Sequence, residues 1–513
     1  MKIKKVLSIF LAGCMLAAAL TGCGKNETLS ESVLVDGNTM ISKEPIELSA
    51  FMDSSKEGDG QWQLLKEAYK MTNVNVVPTL SKSNTEFNQT FSLMIASGNI
   101  PDIVQTYKPS QFCELAMEGA FVALNDYFDT HLVHFKQFLS ENPDVKKEIT
   151  ASDGNIYYIP FIPGGDLSQG WFVRQDWLDK LGLKAPTNAE EMYTVLKAMK
   201  TQDPNGNGLA DEVPYFETEK GANLFPLWGA RQSFYVENGE VKYGKLEDEF
   251  VPAIKNIIKW YEEGLLDPEI VTRSTNGRDT LLGNNIGGMT NDWFGSTARY
   301  NEKLAEAIPG FNFCAFAPPC GIQLSKRPPA SGYGWGVSAS SEYLNEALLF
   351  LDFFFTEEGN RLINYGVEGL HYDMVDGKPT FKAELVAQPN FQKQLTDFGV
   401  QVGVGYKQDY EYEKQWLNDI ALEGLAMYEE GDWVVEQMSP NLSLKLNSVE
   451  LEEYNSLYTQ VTTYDTEMYQ KWILGAEDFD QTYPKFKKEV KKLGYDRLME
   501  LMQLAYDRYN GKK

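Results

Sequence analysis

Basic and metal-seeking side chains are scarce in this sequence. Its 513 residues include 3 histidines and 5 cysteines, and 47 lysines and arginines face 73 aspartates and glutamates, for a formal net charge of −26. A chain this acidic repels nucleic acid and anionic membrane surfaces, so neither is expected as a partner through charge. The charge suits a neutral or cationic small ligand better than a polyanion. His131 and His134 stand at helical spacing with no third ligand nearby, and no cysteine pair has metal-site spacing, so there is no zinc signature. His371 reads as structural. Nucleophile-elbow and Walker-loop motifs are also missing. The acidic residues still leave room for a catalytic carboxylate pair. A membrane-spanning helix needs about 20 apolar residues, and the stretch Val6 to Leu20 has only fifteen.

That stretch reads instead as the middle of an export signal. Lys2, Lys4 and Lys5 precede it, and Leu20-Thr21-Gly22-Cys23 follows as a small-residue cleavage site. L-T-G-C resembles a bacterial lipobox, which implies removal of residues 1–22, lipidation of Cys23 and anchoring to the outer face of a cell membrane. The plainer alternative is a secretory leader in which Cys23 is incidental. Residues 23–44 read as a polar linker. Losing the leader takes three lysines and moves the charge to −29, with 44 basic residues against 73 acidic. Cys113, Cys314 and Cys320 then remain, either with a 314–320 bridge and one thiol left over or as three free thiols.

What is present is ample material for a core: 43% hydrophobic and 13% aromatic residues. The length implies two or more lobes. Ile46 to Phe51 alternates as a strand, a helix follows with Trp62, Leu65 and Tyr69 on one face, and Asn73 to Val77 returns as a strand before Pro78. This is the opening of an open α/β sheet. Phe87, Phe91 and Ile95 mark the next helix, which stops at Gly98. A later helix carries Met192, Val195, Leu196 and Met199 as its buried stripe behind a capping box at Thr187 and Glu190. Phe313 to Pro319 reads as a strand crossing back to the first lobe. Leu498, Leu501, Met502, Ala505 and Tyr509 set the buried face of a C-terminal helix.

The sharpest chemical signal is D-P-N-G-N-G-L-A-D-E, Asp203 to Glu212. Asp203, Asn205 and Asn207 alternate, Gly208 stands where a calcium loop turns sharply, the Leu209 carbonyl is placed as the backbone ligand, and Asp211 and Glu212 add two carboxylates. The EF-hand pattern would put a bidentate glutamate where Pro214 stands, so Glu212 must serve in its place. The competing reading is a metal-free Asx/Gly turn.

Three pieces then carry a resemblance: D-G-N-I-Y-Y-I-P (Asp153–Pro160), R-Q-D-W-L-D-K-L-G-L-K-A-P-T (Arg174–Thr187) and D-P-N-G-N-G-L-A-D-E-V-P (Asp203–Pro214). In this order and spacing they resemble the extracellular solute-binding lipoproteins of ABC importers, in particular the large oligosaccharide-binding group with a calcium loop. S-G-N-I-P-D-I-V and G-V-E-G-L-H-Y add weaker matches. The resemblance implies an α/β, two-lobed periplasmic-binding-protein-like fold with a ligand cleft between lobes and a helical C-terminus. It also implies a structural calcium ion, delivery of an oligosaccharide to ABC permease subunits, and no enzymatic activity. Lobe one is expected over 45–162 and about 316–380, lobe two over 163–315 and about 381–513, in a monomer.

Sugars present apolar C–H faces rimmed by hydroxyls, which suit indoles beneath and carboxylates around them. Of the 10 tryptophans, Trp177, Trp260, Trp416 and Trp472 lie on helical patterns and read as packing. Trp293 and Trp335 sit among Gly, Asn or Asp and are expected in cleft loops, with Asp292 and Glu368 as hydroxyl acceptors. Trp171 and Trp228 are weaker candidates. Arg174, beside the first crossing, reads as structural. A secreted glycoside hydrolase or lyase and a peptide-binding importer subunit are the alternatives.

Overall fold

The computed structural model describes residues 38–53, 62–81, 83–106, 108–165, 167–274, 277–323, 327–388, 391–400, 405–435 and 440–512. The signal segment, Cys14, Cys23 and most of the linker lie outside the described residues. Among the described residues no helix is long and apolar enough to cross a membrane.

Strands β1 (Ile46–Asp53), β2 (Val74–Ser81), β3 (Ile103–Thr106) and β4 (Ile159–Pro160) come first. They are followed by β5 (Gln169–Arg174), β6 (Val213–Tyr215), the hairpin β7 and β8 (Phe234–Glu237 and Glu240–Tyr243), and β9 (Gly287–Trp293). Then come β10 (Phe313–Phe316), β11 (Ile322–Gln323), β12 (Gly334–Val337), the hairpin β13 and β14 (Tyr372–Val375 and Lys378–Phe381), and β15 (Val434–Val435). The first lobe is built on a sheet of order β2-β1-β3-β12-β4, the second on a sheet of order β10-β5-β9-β6.

In the first lobe β1, β2 and β3 run parallel, joined by helices. Helix Gln63–Thr72 ends on Asn73 in the left-handed conformation, which asparagine tolerates, and helix Asn84–Ser97 starts on the Ser83 cap and stops at Gly98 with φ 69°. Strand β2 runs through Pro78 to Ser81 rather than ending before it. It can do so because β2 is the sheet edge, where a missing N–H breaks no ladder.

The second sheet is mixed: β5 is antiparallel to β9 and β10, and β6 is parallel to β9. One face packs on Trp171, Val173, Met289 and the C-terminal helices, the other on Phe172, Phe294 and Phe313. Leu498, Leu501, Met502 and Ala505 are buried as the helical pattern requires. Helix Ala189–Thr201 buries Met192, Val195, Leu196 and Met199, but its N-cap is Asn188, which accepts from the N–H groups of Glu190 and Glu191. Thr187, one residue before that cap, instead donates both its N–H and its hydroxyl to Glu191, so the expected box between Thr187 and Glu190 does not form.

Two expected boundaries move. Phe313–Phe316 does not cross to the first lobe: it pairs with β5 inside the second sheet, and the chain returns only beyond β11, where Ala330 joins the first core. Phe381, Phe391, Leu395, Phe398, Tyr406 and Tyr412 also pack in the first core, so lobe one runs well past 380. The connecting segments are bonded to one another: Phe161 N–H donates to Tyr333, Ser331 N–H to Phe161, Ile162 N–H to Tyr406, and Gln408 N–H to Ile162. A further turn, Leu442–Lys445, puts Leu444 into the first core and Leu442 into the second.

Candidate functional site

The crossings decide which edges of the two sheets face each other. In the first lobe Gly334 pairs with both Thr106, at the end of β3, and Pro160, at the end of β4. The chain leaves Pro160 and starts the second sheet at Gln169, whose partner is Trp293, the last residue of β9. The carboxyl end of the first sheet therefore borders the Gln169 and Trp293 end of the second, the place where open α/β sheets hold ligands.

Trp293 is 48% exposed there, at the start of helix Phe294–Ala298. Alternation along β9 puts Asn291 on the same face, and cross-strand pairing adds Gln169 and Trp171. Asp292 points to the other face, where Arg278 Nη1 lies 2.9 Å from its Oδ2 and the Trp293 N–H donates to Oδ1 at 2.8 Å. Burial pushes the Asp292 carboxyl up, with Arg278 pulling the other way.

Below Trp293 on its own face is a niche of about 10 Å³ against Trp171, Asn223, Leu227, Asn291, Cys320 and Ile322. Asn223 Nδ2 donates to Glu217 Oε2 at 2.6 Å, and Tyr215 donates to the same oxygen at 2.7 Å. Glu217 is buried, and burial raises its carboxyl to about 7. Among the described residues Glu217 Oε1, Asn291 Oδ1 and Gln323 Oε1 are buried without a hydrogen-bond partner. The Gln323 amide is fixed by donation to the Gln169 carbonyl at 3.0 Å. Sequence reasoning missed Glu217, Asn223, Asn291 and Gln323. Only Asn291, directly before Asp292 and Trp293 in the sequence, stood next to expected site residues.

Other expected site residues fall elsewhere. Trp335 is 0% exposed, in β12 between β3 and β4, and offers no face to a ligand. Its glycine neighbours mark close packing: a Cβ on Gly334 would come within 2.2 Å of the Ile159 carbonyl oxygen, and one on Gly336 within 2.3 Å of the Phe112 ring. Trp171 is buried against Tyr215 and Phe316 and forms part of the niche wall. Trp228 packs on Trp260 with ring centroids 5.2 Å apart. Glu368 is exposed in the first lobe, in the turn that bridges to Tyr372 before the β13–β14 hairpin. A cavity of about 1540 Å³ lies between the lobes beside the crossings, against Glu148, Ile162, Tyr235, Gln408, Tyr410 and Tyr509. None of the expected ligand residues lines it.

Arg174 is structural as expected: buried, bidentate to Asp176, and held between the rings of Trp177 and Phe311. His134 is bonded to Asp352 at 2.8 Å, and His371 accepts from the Val367 N–H. Cys113, Cys314 and Cys320 are free thiols.

The Asp203 to Glu212 loop closes on itself. Asp203 accepts from the N–H groups of Gly206, Asn207 and Gly208, while the amides of Asn205 and Asn207 donate to Asp211. Lys200 ties the end of the preceding helix to the Glu212 carbonyl at 2.8 Å. Glu212 is 1% exposed, and neither carboxylate oxygen has a partner among the described residues. Burial, then the charges of Asp211 and Asp203, push its carboxyl up. No three His, Cys, Asp or Glu side chains among the described residues are drawn together tightly enough to hold a metal. The loop's donor set depends instead on two asparagines and a carbonyl. A buried Glu212 carboxylate without a partner among the described residues, beside Asp203 and Asp211, suits a cation.

The profile of bacterial extracellular solute-binding proteins matches residues 53–361. The fructooligosaccharide ABC transporter substrate-binding protein FusA of Streptococcus pneumoniae serotype 4 is 25% identical over 97% of each chain. Lipoprotein LipO of Bacillus subtilis is 28% identical over 73% of this chain and 74% of its own length. A crystal structure of alginate-binding protein AlgQ2 without calcium ion superposes with a TM-score of 0.81 at 37% identity, covering 92% of this chain and 99% of that one. With its two lobes and linked crossings, the chain belongs to the bacterial extracellular solute-binding proteins, the non-enzymatic ligand-capturing subunits of ABC importers.

Proposed function

We propose that this protein captures a neutral oligosaccharide between its lobes, stacks one sugar on Trp293 and delivers it to an ABC permease. The observation that carries this reading is the exposed indole of Trp293 at the ligand end of β9, above the buried amide oxygens of Asn291 and Gln323, which have no partner among the described residues. An indole covers the C–H face of a sugar, and amides and carboxylates meet its hydroxyls. The arginine beside it is already paired with Asp292, and the net charge of −26 disfavours an anionic ligand. Of its relatives, one is named for alginate and one for fructooligosaccharide, so the test needs uronate and neutral glycans together. Burying an indole face is worth a few kcal/mol at most, from about 25 cal/mol per Å². Trp293→Ala should therefore weaken calorimetric affinity for the best-bound glycan of such a panel at least tenfold. Unchanged affinity would move the site to the cavity beside the crossings, and turnover of the glycan would overturn the binding reading altogether.

The calcium site of this proposal is Asp203, Asn205, Asn207, the Leu209 carbonyl, Asp211 and Glu212. It is structural, because Val213 pairs with Gly287, at the opposite end of β9 from Trp293. Six residue steps at about 3.3 Å separate those ends by roughly 20 Å.

The anchor is Cys23, whose leader has the order a lipoprotein requires. Expressed in a bacterium, the wild type should sediment with membranes and Cys23→Ala should appear unprocessed or in the soluble fraction. Equal fractionation of the two would remove the lipid anchor from the proposal.

A further inference from the structure

The niche below Trp293 has no role in the fold that accounts for its polar walls. Core positions on this face of the second sheet are apolar: Val173, Met289 and Phe316. At the ligand end the same face changes to Asn291, with Asn223 beside it and Glu217 behind. Asn291 is 8% exposed and Asn223 9%, each nearly closed off yet still reaching solvent. A space of about 10 Å³ holds one water-sized oxygen and nothing larger.

Buried polar groups without partners are costly, so they persist where something else completes them. Asn291 Oδ1 lacks a donor among the described residues, and Asn223, having given Nδ2 to Glu217, retains its carbonyl oxygen for the niche. The niche therefore suits a hydroxyl, which can donate its one proton to an amide oxygen there and accept from an amide N–H, and is unfavourable for a carboxylate, which can donate to neither oxygen. Along β9, Asn291 lies two residues from Trp293 on the same face, a separation of about 7 Å. That is within the span of one sugar ring and its exocyclic group.

We propose that the niche between Trp171, Asn223 and Asn291 is a hydroxyl-reading subsite, which takes one neutral hydroxyl of the sugar stacked on Trp293. Glu217 acts as a positioning residue that orients Asn223. This rests on the oligosaccharide reading and sharpens it: the group that enters this subsite is a sugar hydroxyl and not a carboxylate. Glu217, which faces Tyr215, Tyr469 and Glu219, has its carboxyl raised to about 7 by burial, so its hold on Asn223 should change across neutral pH.

The test is calorimetric, with the processed protein and a panel of neutral and uronate tri- to pentasaccharides. For the tightest-binding neutral glycan, Asn291→Ala and Asn223→Ala should each lower affinity about tenfold. Analogues of that glycan lacking single hydroxyls should include one that loses a similar factor with wild type and loses nothing further with Asn291→Ala. Wild-type affinity should shift between pH 6 and pH 8, and Glu217→Gln should flatten that profile, a change that a purely structural role would not produce. If a neutral glycan binds but every deoxy analogue loses equally in wild type and Asn291→Ala, the niche holds only water and the subsite is overturned. If a uronate glycan binds best and Asn291→Ala leaves it unchanged, the subsite fails while the oligosaccharide reading stands. If no glycan of either kind binds, the oligosaccharide reading itself falls.

Discussion

Trp335→Ala should destabilise the first lobe by about 3–5 kcal/mol, the range for emptying a buried tryptophan site. Trp293→Ala should leave stability within about 0.5 kcal/mol of wild type, as exposed substitutions do. The contrast follows from position. Trp335 is fully buried in β12, with β3 on one side and β4 on the other, and joins the core that contains Phe112, Tyr158 and Val337. On the opposite face of β12, the Gly334 position is pressed against the Ile159 carbonyl and the Gly336 position against the Phe112 ring, which pins the strand against moving to refill the site. A cavity that cannot collapse lies at the costly end of the range. Urea unfolding with calcium and glycan concentrations fixed would measure both variants. A Trp335→Ala midpoint equal to that of Trp293→Ala would mean that the indole is not a core residue.

The misplacement of Trp335 shows where sequence reasoning reached its limit. S-G-Y-G-W-G-V has the composition of a loop, yet the same glycines serve a sheet whose neighbours approach too closely for any side chain. Sequence does not separate the two uses, because the crowding partners Ile159 and Phe112 are more than 170 residues away. The strand Phe313–Phe316 was legible as a strand, but nothing in F-C-A-F says which sheet receives it. Likewise the apolar positions between Phe381 and Tyr412 could have packed in either lobe. Helix stripes and the Asp203–Glu212 loop were legible because each is complete within one short segment. The niche was not: Asn291 comes from β9, Asn223 from the turn Ala222–Trp228 and Glu217 from the segment after β6. Three isolated polar letters become one surface only through tertiary pairing.

Chelating calcium should lower the unfolding temperature of the second lobe, and by more at pH 8 than at pH 5. In the metal-free fold the Glu212 carboxyl is raised from its usual 4.5 by burial and by the charges of Asp211 and Asp203. Below that usual value both folded and unfolded chains are protonated there, and the group is neutral in its effect on stability. As pH rises past it the unfolded chain ionises first, so stability falls until the raised folded value is passed and stays low above it. A calcium ion reverses the sign, because a cation against three carboxylates favours their ionised forms. At 100 times its Kd the ion adds about 2.7 kcal/mol through binding to the folded state alone. Scanning calorimetry at both pH values, with chelator or with millimolar calcium, reads the effect directly. Glu212→Gln should abolish most of the gain from calcium and flatten the pH dependence of the chelated protein, since it removes the titrating group and one ligand charge. Identical unfolding temperatures with chelator and with calcium, together with no calcium in a dialysed sample by elemental analysis, would reduce the loop to a hydrogen-bonded turn.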